Sequence, residues 1–211
     1  MTTVWLLAAL VPVAAANWWS RWTDDDALER WTKPVVTVLA IAIAATSGAS
    51  GAAVACGVVA LVLCLAGDVA LLPAVNSFLA GLGAFLLGHL AFVPMLVLLD
   101  LEQPWLALVA VALLVPVHAR FGWRIVAAAN RTDPGLRLPV RAYLVVISAM
   151  AVVAWATGNV AATVGAAAFV ASDTILGWRK FVGRSRWMGA AIMVTYHVAI
   201  VGLALSLVID T

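Results

Sequence analysis

Residues 51–72 read GAAVACGVVALVLCLAGDVALL, twenty-two positions with one charge, Asp68. Wound as a helix at ~1.5 Å per residue, the run is about 33 Å long, enough for the roughly 30 Å hydrocarbon core of a bilayer. Its length and apolarity assign it to a membrane, and Asp68 raises the functional question. Either the helix ends early and Asp68 caps the next turn, or the carboxylate marks a site. An Asp at a span centre costs about 2.5–3.5 kcal/mol, less near an end, and ionisable groups within spans usually face one another or a cavity.

The whole chain agrees with this stretch. Of its 211 residues 65% are hydrophobic and only 10% charged, and its mean hydropathy is +1.10. A soluble domain of this size needs far more polar surface. Cys56 and Cys64 lie about 12 Å apart along one helix and cannot pair, so both read as small apolar residues. The sequence predicts an all-α membrane protein with eight transmembrane helices, near 3–19, 33–47, 51–72, 77–99, 104–118, 140–157, 159–176 and 188–208, in a single domain spanning 1–211. A further helix over 121–129 is expected at the interface. The first span has an Ala14-Ala15-Ala16 run resembling a cleavage site, but basic residues follow it rather than precede it, so it reads as a retained helix.

Orientation follows from the twelve basic residues. Arg21, Arg30 and Lys33 lie between spans one and two. Arg120, Arg124, Arg131, Arg137 and Arg141 lie between five and six, and Arg179, Lys180, Arg184 and Arg186 between seven and eight. All fall in odd-numbered connections, which the positive-inside rule makes cytoplasmic, so both termini are expected outside. The basic loops read as topology signals and anionic-lipid contacts, with no nucleic-acid role.

The segment RTDPGLR, residues 131–137, divides the spans into halves 1–99 and 104–208 that can be compared. Ala66-Gly67-Asp68-x-x-Leu71 matches Ala171-Ser172-Asp173-x-x-Leu176 at an offset of 105, and Pro34 matches Pro139 at the same offset. His89 and His197 correspond three residues out of step. Two parallel four-helix repeats explain these matches, with a pseudo-two-fold axis along the membrane normal. Chance matching in an Ala/Val/Leu-rich chain is the alternative.

The polar residues form a gradient. Asp68 and Asp173 are expected about one turn from the cytoplasmic ends of spans three and seven. Lys33 opens span two on that side, Asn76 precedes span four, and Tyr143 lies one turn into span six. His89, Tyr196 and His197 lie about 13–18 Å deep by the helical rise. Gly81, Gly83 and Gly88 read as close helix contacts, Pro94 and Pro116 as kinks, and His118 as interfacial. Two carboxylates at equivalent depth, with a Lys, a Tyr and two His on the same side, point to a cavity open to the cytoplasm.

From Lys33 to the end of span eight the chain resembles the YhhN family, the lysoplasmalogenase-like membrane proteins. The resemblance rests on Lys33-Pro34, Gly67-Asp68, Phe78-x-x-Gly81-x-x-x-Phe85-x-x-x-His89, Pro139-Val140-x-x-Tyr143, Ser172-Asp173 and Tyr196. It departs after Tyr196, where this chain has His197 and Ile200. The resemblance implies a hydrolase that cleaves the vinyl ether bond of lysoplasmalogens, releasing a fatty aldehyde. Asp68 and Asp173 would be catalytic, one as acid and one as carboxylate, with no cofactor. Lys33 would meet the lipid phosphate, and Asn76, His89, Tyr143, Tyr196 and His197 would surround the substrate.

The residues suit such chemistry, because protonation at carbon needs a carboxylic acid and the resulting cation benefits from a carboxylate, as in glycosidases. Two other classes stay open: a proton-coupled transporter using paired carboxylates as relays, and a lipid-binding protein without chemistry. No His-x-x-x-His or comparable spacing supports a bound metal. The expected partners are a lysophospholipid substrate and the lipids of a bacterial inner membrane. Which Asp is the acid, and which head group is bound, are not fixed by these residues.

Overall fold

Apolar runs in a membrane must satisfy every backbone N–H and C=O internally, which favours helices throughout. The computed structural model describes residues 1–208, and all regular structure among them is helical. The helices are α1 (Thr2–Thr23), α2 (Asp26–Ala45), α3 (Gly51–Ala70), α4 (Phe78–Val97), α5 (Leu106–Val117), α6 (Trp123–Thr132), α7 (Arg137–Ala156), α8 (Val160–Phe181) and α9 (Met188–Leu205).

Seven segments among the described residues are long and apolar enough to cross a membrane, one fewer than expected. The exception is α2, whose first two turns carry Asp26, Glu29, Arg30 and Lys33. It begins seven residues before the expected start, so Lys33 lies two turns inside the helix rather than opening it. Asp25 caps that start by accepting from the amides of Ala27 and Leu28. Helix α8 likewise continues to Phe181, which puts Asp173 about two turns from its end rather than one. Pairing explains part of the overrun. Arg21 near the end of α1 meets Glu29 of α2 at 2.6 Å, and Asp26 at 3.7 Å. Hydropathy alone does not register a charge that is paired.

The expected interfacial helix is instead continuous with the fifth span. A π-helical turn, His118–Gly122, joins α5 to α6 in one 27-residue segment. Pro116 lies two residues before that turn, where a broken hydrogen-bond ladder eases the widening. His118 is tied there by Nδ1 to the Leu114 carbonyl at 2.9 Å and by Nε2 to Ser148 at 3.2 Å.

Helix α3 packs on α2 and α4, α8 packs on α7 and α9, and α2 on α9 and α4 on α7 join the two sets. Small residues permit the tightest approaches. A Cβ on Gly165 of α8 would stand 2.8 Å from the Leu203 amide nitrogen of α9, and one on Gly202 would stand 2.9 Å from Gly165 Cα. Between α3 and α4, Gly67 takes the Phe85 ring and Gly81 takes Leu71. Gly88 faces the Ala60 carbonyl, whereas Gly83 faces open space and is not a packing contact. The core closes around Phe92, Phe169, Met95 and Ile147.

Candidate functional site

One cavity of about 490 Å³ opens at the end of the bundle that carries the α1–α2 and α8–α9 connections. Exposed Asp24, Asp26 and Arg184 stand at its mouth with partly buried Arg21 and Arg179. Lys33 and Asp68, both buried, lie at its base with Phe85, Asp173 and Tyr196.

Asp68 sits in the last turn of α3 with no exposed surface. Gly67 before it leaves room for the Phe85 ring, which bears on α3 beside the carboxylate. Asp68 Oδ2 accepts hydrogen bonds from Thr37 Oγ1 at 2.6 Å and from the Tyr196 hydroxyl at 2.8 Å. Lys33 Nζ stands 3.6 Å from Oδ1, an ion pair rather than a close hydrogen bond. Lys33 and Thr37 are one helical turn apart on α2, so both reach the same carboxylate.

Asp173 on α8 has a different shell. The Tyr143 hydroxyl of α7 donates to its Oδ2, and His89 Nε2 of α4 stands 3.9 Å from the same oxygen. No Lys or Arg forms an ion pair with it among the described residues. The two carboxyl shells are joined by aromatic packing. Phe169 lies 5.7 Å from Tyr196 and 4.5 Å from His89, ring to ring, and Phe85 meets Tyr196 edge-on at 5.7 Å.

Of the residues singled out in the sequence, Lys33, Asp68, Asn76, Asp173 and Tyr196 line this one cavity. Asn76 does so from an exposed loop position at φ 47°. Tyr143 and His89 reach it only through Asp173. His197 does not line it: its Nδ1 accepts from Trp18 Nε1 of α1 at 3.0 Å. Consecutive residues on a helix diverge by about 100°, so Tyr196 and His197 do not share a face. The sequence assigns no site role to Thr37, Arg21 or Arg179, nor to Phe85, which enters there only within the run from Phe78 to His89. The helical spacing from Lys33 pointed to Thr37, whereas the arginines looked like topology signals alone. Among the described residues, no three His, Cys, Asp or Glu side chains cluster closely enough to hold a metal ion.

The chain belongs to the YhhN family, whose model it matches over residues 28–207. That stretch contains every residue of the two carboxyl shells. No curated protein and no solved structure matches the chain.

Proposed function

We propose that the protein hydrolyses the vinyl ether bond of a lysoplasmalogen or a closely related lysolipid. The observation that carries this reading is the placement of Asp68 and Asp173, in unlike shells, on one cavity with an arginine-bearing mouth and an aromatic base. The mouth suits a lipid phosphate through Arg179 and Arg184, which form no ion pair among the described residues, whereas Arg21 beside them is held by Glu29 and Asp26. Lys33, committed to Asp68 at depth, serves as its counter-ion more than as a phosphate anchor.

The reaction needs two carboxyl groups in opposite states. One, as the acid, gives its proton to the second carbon of the alkenyl chain, leaving an oxocarbenium centre on the first. The other carboxylate balances that cation and takes a proton from the attacking water. The hemiacetal formed collapses to an aldehyde and a free glycerol hydroxyl. Asp68, with an ammonium and two hydroxyl donors, suits the carboxylate role. Asp173, held by one phenol, suits the donor role.

The two shells also support the repeat. Asp68 takes one hydroxyl donor from α2 and one from α9, and Asp173 takes one from α7 and has a histidine nitrogen of α4 at 3.9 Å, without a hydrogen bond. An approximate two-fold exchanging α2 with α7 and α9 with α4 accounts for both patterns. In this reading the basic connections, and hence the cavity mouth, face the cytoplasm of a bacterial cell.

The test is a substrate panel. Purified protein incubated with vinyl ether, alkyl ether and ester lysolipids of equal chain length should release aldehyde from the vinyl ether alone. Free fatty acid from the ester with no aldehyde would replace this reading. Proton-dependent lipid flux in vesicles without any product would favour a transporter.

A further inference from the structure

A second space, narrow and almost wholly apolar, lies between α4, α6, α7 and α8, with a volume of about 40 Å³. Leu82 of α4, Ile125 of α6 and Leu144 of α7 form its walls, with Gly177 of α8. It shares Leu71, Phe85, Leu176 and Asp173 with the main cavity. Among the described residues, Asp173 is therefore the one carboxyl group that borders both spaces.

We propose that this slot receives the first carbons of the substrate's hydrocarbon chain while the main cavity holds the glycerophospho head, so that the bond between them lies against Asp173. The proposal rests on the hydrolase reading in taking the ligand to be a lysolipid. A lysolipid has one polar head and one chain, and the two adjoining spaces divide in the same way. The main cavity carries arginines at its mouth, whereas Asp173 and Tyr143, bonded to each other, are the only ionisable side chains bordering the slot among the described residues. The carbon to be protonated is the second of the chain, on the slot side of the ether oxygen. Asp173 borders that side, and Asp68 with Lys33 borders the head side. The width of the slot is set where α6 meets α8: a Cβ on Gly177 would stand 3.1 Å from Ile125 Cγ2. A single chain without branches near the ether fits such a passage.

The probe is a saturated alkyl ether lysophosphocholine bearing a diazirine on the fourth chain carbon, which binds without being cleaved. Photolysis with the full-length protein, followed by peptide mass spectrometry, should label Leu82 and Leu144. An excess of unlabelled lysolipid should remove that label. Leu82→Trp should cut the competed label, and the kcat/KM for a sixteen-carbon vinyl ether substrate, by about tenfold or more. Leu108→Trp on the exposed face of α5 should change neither. Competed label confined to outer positions such as Leu108 or Val111, or an undiminished label in a folded Leu82→Trp protein, overturns the slot. Aldehyde release with label elsewhere removes the slot and leaves the hydrolase. Competed slot label without aldehyde from any vinyl ether removes the hydrolase and leaves a chain-binding slot.

Discussion

Replacing Lys33 with methionine removes the ammonium paired with Asp68 while keeping most of the side-chain volume. The pair is separated by 3.6 Å, with side chains 5% and 0% exposed. At an effective dielectric of ~20, unit charges at that separation attract by about 4.6 kcal/mol. Removing one partner of a buried pair costs about 3–5 kcal/mol, because the other charge is stranded. Thr37 and Tyr196 still donate to Oδ2, so the expected loss is near the lower bound, about 3 kcal/mol. Asp68→Asn in the same background removes the stranded charge, and the double variant should recover about 2 kcal/mol of that loss. The assay is thermal unfolding in detergent, followed by tryptophan fluorescence. For a chain of this size a loss of about 3 kcal/mol lowers the midpoint by roughly 6–12 °C. A Lys33→Met midpoint within about 1 °C of wild type would refute the buried-pair argument, as would additive losses in the double variant.

Gly165→Ala should destabilise by about 1–3 kcal/mol, because the new methyl meets backbone atoms of α9 that cannot yield, whereas Gly83→Ala should leave the unfolding midpoint unchanged or raised. Differential scanning of the two variants checks the contrast, and equal midpoints would contradict the packing. Tyr143→Phe removes the phenol from Asp173 and should lower aldehyde release about tenfold with a stability change near 1 kcal/mol; unchanged turnover would separate Tyr143 from the chemistry. Reporter fusions within 179–186 should be active in the cytoplasm, and a fusion after Thr211, outside the described residues, should be active beyond the membrane. A cytoplasmic C-terminus would reverse the assigned side of the cavity.

Much of this was legible because a membrane simplifies the code. Asp68 stands out in an apolar run, and its match with Asp173 pointed to one site before any packing was known. Helix ends were less legible. Glu29 and Lys33 are buried because Arg21 and Asp68 neutralise them, and those partners come from other helices. Hydropathy therefore places the start of α2 too late. The π turn at His118–Gly122 is also a tertiary feature, held in part by Ser148 of α7. His197 shows the opposite failure: a polar residue at the right depth faces Trp18 because helix phase, not depth, decides its direction. The slot beside Asp173 has no sequence signal, since Leu82, Ile125 and Leu144 look like ordinary core.

The central claim is that Asp68 and Asp173 act together on the vinyl ether bond. Aldehyde release by wild type, Asp68→Asn, Asp173→Asn and the double variant, each shown folded by its unfolding transition, tests it most directly. Asn keeps the shape of the side chain but neither supplies an acidic proton nor balances a cation. Each single variant should lose about 10²–10⁴-fold in rate, and the double variant should lose little more than the worse single one. Near-wild-type turnover in either folded single variant would contradict the account.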